Sequence, residues 1–349
     1  MPKMTDINVN GSKSYTVHIG AGLLPETGRL LADVLAPVRA MLVSDDVVFP
    51  LYGGTVQTSL EEAGFAVSVF VFPAGERSKN LATFGKLLEA LGTAGLTRSD
   101  VVVALGGGVV GDLTGFAAAC YQRGIRFAQV PTTLLAAADA SVGGKTGVDL
   151  PSGKNQAGAF HQPSLVVCDT NTFQTLDAVN FACGCAEAIK CGILASPELF
   201  RIFETGQARE RVEEIVAESV RIKADFVARD EFDTGERRFL NLGHTFGHAV
   251  ETLSRYETPH GFAVAIGTAL IADASVKSGA LTSESAGRIK KTLLANGLPL
   301  DCPYGADALA AAAASDKKIS GGKISVVMIH EIGDCFLQSM ELSELEKLL

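Results

Sequence analysis

The sequence predicts an α/β N-terminal domain, Rossmann-like with a parallel sheet, followed by a mostly α-helical C-terminal domain. Three observations predict it. Short apolar runs alternate with helical periodicity in the first half. The second half is helical nearly throughout. The 349 residues are 47% hydrophobic and 20% charged, and at roughly 100–200 residues per domain that supports two cores.

Taken in order, the runs at 40–43, 66–72, 101–105, 127–130 and 164–168 read as strands. Helical patterns at 51–63, 80–95 and 112–122 separate them. Ser44, Asp45 and Asp46 stop the first strand, and Pro131 stops the fourth. Strands joined through helices must cross over, so the sheet is expected to be parallel and covered on both faces. From about residue 181 the helical stretches are 185–194, 209–229, 239–254, 262–278, 283–296 and 308–315, with a late strand at 323–329. The boundary is placed at 178, giving domains 1–178 and 179–349. No repeat or long linker separates them, so a shared cleft is expected, a favoured place for a ligand.

Composition excludes several classes. A formal net charge of −9 gives no bulk attraction for nucleic acid, so any bound anion must meet a local cluster of cations. Seven cysteines without a secretory leader pattern read as reduced thiols of a cytoplasmic protein. No run of about 20 apolar residues is present, which argues against a membrane span.

The glycines cluster informatively. LGGGVVGD at 105–112 follows a strand and opens a helix, and Gly106, Gly108 and Gly111 fit G-x-G-x-x-G. Such a turn lets backbone approach a pyrophosphate that the helix N-terminus stabilises. The acid expected about 20 residues later to hold a ribose is missing, and Asp45, at an earlier strand end, is the alternative. SVGGKT at 141–146 is no phosphate loop, because Asp139 stands where that motif needs glycine. Lys145, Lys154 and Arg123 are expected in glycine-rich polar loops, where cations meet phosphates or carboxylates. His244 and His248, four apart, would share one helix face, a common metal spacing. His260 is expected at a helix start. Glu187 and Lys190 stand at i, i+3, a spacing that most often makes a surface ion pair. Cys183, Cys185 and Cys191 match no common zinc pattern.

Ordered motifs then carry a resemblance over nearly the whole chain. They are GERSK at 75–79, GGGVVGD at 106–112, YQRG at 121–124, VPTTL at 130–134, SVGGKT at 141–146, and Lys154-Asn155 with GAF at 158–160. Further on come Ala186-Glu187 with Lys190, Arg237 ahead of NLGHTFGH at 241–248, His260-Gly261 and DKK at 316–318. On these the chain resembles the 3-dehydroquinate synthases, members of the sugar phosphate cyclase superfamily.

The resemblance implies NAD and a divalent metal, zinc or cobalt, with Glu187, His244 and His260 as ligands. His248 then falls among the substrate and proton-handling residues, a different part from the one helix spacing gives it. Catalytic and substrate contacts are implied for Asp139, Lys145, Asn155, Lys190, Lys223, Arg237 and Asn241, and for the Lys317–Lys318 pair. Arg123 is implied to reach across from a neighbouring subunit of a homodimer. NAD contacts are implied for Asp45, Glu76, Lys79, Gly107, Gly108 and Asp112. Thr132, Thr133, Lys145, Lys154 and Thr175 complete that set.

The implied substrate is 3-deoxy-D-arabino-heptulosonate 7-phosphate, a sugar acid with a carboxylate and a phosphate. The implied sequence is transient oxidation by NAD, phosphate elimination, re-reduction, ring opening and aldol closure to 3-dehydroquinate. Sedoheptulose 7-phosphate cyclases and metal-dependent glycerol-type dehydrogenases are the rival readings.

Overall fold

The protein is described by a computed structural model over residues 2–314 and 323–349. It divides into two compact units, 1–175 with 223–232, and 176–222 with 233–349. Lys223, which the boundary at 178 assigns to the second half, groups with the first unit.

The first unit contains β1 (Met4–Val9), β2 (Tyr15–Gly20), α1 (Thr27–Val34), β3 (Arg39–Asp45), α2 (Gly54–Glu62) and β4 (Ala66–Phe72). Next come α3 (Leu81–Thr93), β5 (Val101–Gly106), α4 (Gly108–Cys120) and β6 (Arg126–Pro131), then β7 (Lys145–Leu150), β8 (Gly153–Phe160) and β9 (Val166–Asp169). Seven strands form one sheet in the order β1-β2-β9-β6-β5-β3-β4. All neighbours are parallel except the β1–β2 edge pair.

The central strands alternate between two cores, as a period of two requires. Ala40 and Leu42 of β3, with Val101, Val103 and Leu105 of β5, pack on the α1–α2 face. Met41, Val43, Val102 and Ala104 pack on the α3–α4 face with Leu87, Leu113 and Phe127. Burial on both faces makes these strands apolar throughout, which is why they were the readable ones.

Three strands of this unit escape periodicity. In β1 only Ile7 and Val9 are buried, so the segment looks polar. The β7–β8 hairpin is rich in glycine and polar residues. Consequently Lys145 and Lys154, expected in loops, lie in strands β7 and β8.

The second unit is built from α5 (Ala178–Ala195), α6 (Pro197–Glu204), α7 (Val212–Arg229), α8 (His244–Leu253), α9 (His260–Lys277), α10 (Ser283–Ala295) and α11 (Ala306–Ala314). The antiparallel pair β10 (Lys323–Glu331) and β11 (Asp334–Glu341) and the short α12 (Leu345–Leu348) follow. The last turns of α7 belong to the first unit. Helix α5 has the length and apolarity of a membrane-crossing helix, yet 78% of it is buried inside the protein, as befits a core helix.

The single helix expected at 239–254 is broken. A 3-10 segment, Glu236–Asn241, precedes α8. Gly243 sits between them at φ +76°, a conformation that glycine adopts without strain. A Cβ there would also lie 2.3 Å from Thr268 Oγ1.

Candidate functional site

In the first unit, the glycine-rich turn joins β5 to α4. The N-cap of α4 is Gly107, which offers no capping side chain, so the first helical N–H groups remain available to a ligand. Crowding enforces glycine here. A Cβ on Gly106 would lie 2.5 Å from Val110 Cγ2, and one on Gly111 would lie 2.6 Å from Gln129 Oε1. Thr132 and Thr133 follow at the end of the adjacent strand β6. Thr132 Oγ1 is buried with no hydrogen-bond partner among the described residues, whereas Thr133 Oγ1 accepts from Ala136 N at 3.1 Å.

Asp45 ends β3, next to β5 in the sheet. Its Oδ1 accepts from the backbone of Val47 (3.0 Å) and Val48 (2.7 Å), which fixes the carboxylate and leaves Oδ2 uncommitted among the described residues.

Lys79 is buried, with Nζ 2.6 Å from Asp112 Oδ2 and 2.5 Å from Asn155 Oδ1. Burial pulls this ammonium's pKa down, but the carboxylates of Asp112, Glu76 and Asp149 outweigh it and hold the pKa above the ordinary lysine value. Lys154 pairs with Glu76 at 3.2 Å. Thr175 Oγ1 lies 2.7 Å from the Tyr52 hydroxyl. Lys223 Nζ donates to Asp139 Oδ1 (2.7 Å) and to its carbonyl (2.6 Å). Lys145 and Arg123 are exposed, and Arg123 sits at φ +64° beside Gln122 at +53°.

In the second unit, α5, α8 and α9 pack through small residues. A Cβ on Gly267 of α9 would fall 2.0 Å from the Gly243 carbonyl at the start of α8, and one on Gly261 would fall 2.3 Å from Cys183 Cα of α5. These close approaches bring one side chain from each helix to a common point. Glu187 of α5 places Oε1 3.4 Å from His244 Nε2 of α8 and 3.2 Å from His260 Nε2 of α9. Oε2 is 2.5 Å from Lys190 Nζ. Glu187 is 1% and Lys190 2% exposed, so this pair is a buried one and not the surface pair its spacing suggests.

The imidazoles are oriented from behind. His244 Nδ1 lies 3.1 Å from the Leu242 carbonyl. A carbonyl only accepts, so Nδ1 carries the proton and Nε2 presents its lone pair. Burial drops the His244 pKa to about 4, against the opposing pull of Glu187, so the ring is neutral. His260 Nδ1 lies 3.2 Å from Glu251 Oε2. Burial pulls the His260 pKa down, but Glu187 and Glu251 prevail and raise it to about 10. Burial likewise opposes ionisation of Glu187, and Lys190 and His244 overcome it, holding its pKa well below the usual carboxylate range.

One carboxylate oxygen and two imidazole nitrogens, all within 4.8 Å of one another, have the donor types of a three-ligand divalent site. His248, Glu251 and His260 make a second grouping of that kind, so His248 stands beside the first trio and outside it. No grouping among the described residues includes a cysteine, and none of the seven cysteines is in a disulfide. Arg237 is fully buried, and Asn241 Nδ2 donates to the Arg238 carbonyl at 3.1 Å. Lys317 and Lys318 lie outside the described residues.

Sequence reasoning missed Glu251. The available signal was its spacing, three residues after His248 and seven after His244, which puts it on the helix face that carries the histidines.

An α/β unit with an open glycine-rich strand-to-helix turn, joined to a helical unit that gathers a carboxylate and two imidazoles, defines a class of two-part enzymes. Residues 69–183 match the model of the 3-dehydroquinate synthase N-terminal domain, and residues 184–319 match that of the C-terminal domain. The 3-dehydroquinate synthase of Caulobacter vibrioides is 44% identical over 342 residues, spanning 94% of this chain and 92% of that protein. Among solved structures, a 2-epi-5-epi-valiolone synthase from Streptomyces hygroscopicus with NAD+ and Zn2+ bound is 30% identical, with TM-score 0.88 over 98% of this chain and 97% of that one. A 2-deoxy-scyllo-inosose synthase complexed with carbaglucose-6-phosphate, NAD+ and Co2+ shares the fold, with TM-score 0.88, 21% identity and 99% of each chain covered. The chain belongs to the 3-dehydroquinate synthase family.

Proposed function

We propose that this chain converts 3-deoxy-D-arabino-heptulosonate 7-phosphate to 3-dehydroquinate and inorganic phosphate, as a carbon–oxygen lyase that uses NAD and a divalent metal. The gathering of Glu187, His244 and His260 at one buried point, in a chain so similar to curated synthases, carries the reading.

Glu187, His244 and His260 would hold the metal, and a divalent ion there supplies Lewis acidity toward substrate oxygens. Lys190 neutralises Glu187 and keeps that carboxylate ionised, so this ligand is ready at neutral pH, whereas His260 must give up a proton to join it. The open N-terminus of α4 at Gly107 and Gly108, the orphaned Thr132 hydroxyl and the fixed Asp45 carboxylate suit a dinucleotide's phosphates and ribose. NAD bound there supplies a reversible hydride acceptor. Lys79 ties Asp112 to Asn155, so the wall of that region is held by an ion pair.

The substrate's anionic ends call for cations and fixed dipoles. We assign these to Lys145, Asn155, Lys190, Lys223, Arg237 and Asn241, with Asp139 setting the position of Lys223. Arg123 of a second copy in a homodimer, and the cytoplasm as compartment, complete the reading. His248, next to the trio without joining it, is assigned to proton handling.

Substrate choice tests this directly. Phosphate release from the seven-carbon sugar acid phosphate should exceed that from sedoheptulose 7-phosphate by orders of magnitude in kcat/KM. A preference for sedoheptulose 7-phosphate would move the chain to the cyclase reading.

A further inference from the structure

A second cationic feature lies at the other end of the first unit's sheet. Arg126 opens β6, and Arg98 stands three residues before β5 begins at Val101. The glycine-rich turn follows the last residue of that same β5 strand. With Lys13 and His161, these residues line a recess of about 220 Å³ whose floor includes Gly124 and Ile125.

Every basic group here has only a neutral partner. Lys13 Nζ donates to Ser164 Oγ at 2.9 Å, Arg98 Nε to the Gln122 carbonyl at 2.8 Å, and Arg126 Nη1 to the Ser99 carbonyl at 3.4 Å. His161 Nε2 lies 2.8 Å from the Ile125 carbonyl, so that nitrogen carries the proton. Among the described residues, no carboxylate oxygen comes within 4.0 Å of Lys13, Arg98 or Arg126. Neighbouring acids are engaged elsewhere. Asp100 accepts from Arg39 N and from Thr97 N and Oγ1. Glu231 accepts from Ser12 and Gln162. Burial and the charge of Arg126 both lower the Lys13 pKa, the mark of cations crowded without an anion. These cations repel one another, and an anion bound among them relieves that repulsion.

We infer that this recess is an anion site for a phosphate dianion, either inorganic phosphate or the phosphoryl group of a small monoester. Three basic side chains suit a dianion better than a single carboxylate. Two arginine forks match tetrahedral oxygens. The inference does not rest on the function proposed above, because none of these residues was assigned to that site.

Hydrogen–deuterium exchange at the amides of 97–101 and 125–128, followed during titration with inorganic phosphate and separately with glycerol 1-phosphate, tests it. Saturable slowing of exchange there is expected. Arg126→Gln and Lys13→Gln, made separately, should each weaken that slowing about tenfold while kcat and KM stay unchanged. Tighter action by inorganic phosphate would identify the free anion, and tighter action by glycerol 1-phosphate a monoester. Exchange that neither compound alters, or that both alter equally in the two variants, overturns the proposal.

Discussion

Glu187 is the residue on which the second unit's chemistry turns, since its two oxygens face Lys190 on one side and two imidazoles on the other. Glu187→Gln removes a charge and a ligand atom, and the purified variant should lose its metal by elemental analysis. His248→Ala should keep metal and lose turnover. Glu251→Gln leaves the trio intact but weakens the hold on His260 Nδ1, so metal affinity should fall about 10- to 100-fold in a chelator competition. The pKa directions add a further expectation. Without metal, His244 (about 4) is neutral at pH 7, whereas His260 (about 10) is protonated and must lose that proton to ligate. Metal binding at pH 7 should therefore release about one proton, and apparent affinity should climb as pH rises toward 10. Calorimetry in buffers of differing ionisation enthalpy reads the count, and a count of zero would contradict the assignment. Local spacing offered a different picture of these residues. It paired His244 with His248 because both lie on one helix, while Glu187 and His260 reach the site from other helices, which no i, i+4 rule detects. The resemblance supplied that trio, and neither route supplied Glu251.

At the scale of elements, the contact of α8 with α9 sets the distance between the imidazoles of His244 and His260. Gly267 touches the backbone of Gly243 so closely that a methyl group has no room. Gly267→Ala should lower stability by roughly 1–3 kcal/mol in denaturant titration and weaken metal retention with it. Full stability together with reduced metal would also locate the effect at the site, whereas no change in either would show that the helices part freely. The strands most legible in the sequence are those of nearly continuous apolar residues, whether fully buried like β5 or at the sheet edge like β4. The strand read at 66–72 coincides with β4 (Ala66–Phe72), and the run at 101–105 lies within β5. Half-buried or glycine-rich strands such as β1, β7 and β8 carry too few apolar residues for periodicity to register. The break at Gly243 was hidden because the helical pattern continues on both sides of a single left-handed residue.

For the whole molecule, an acidic chain concentrates its functional cations locally: Lys79 against Asp112, Lys223 against Asp139 and Lys190 against Glu187. Each is buried beside a carboxylate that holds it in place, an arrangement suited to an anionic substrate. The reaction proposed above begins and ends at the same oxidation level. That redox neutrality is the central claim. The most direct measurement incubates the metal-loaded protein with 3-deoxy-D-arabino-heptulosonate 7-phosphate and NAD, following inorganic phosphate and reduced nicotinamide absorbance together. The account predicts phosphate release to completion with no accumulation of reduced cofactor. Reduced cofactor rising in step with substrate loss, without phosphate, would contradict it and mark the chain as a dehydrogenase.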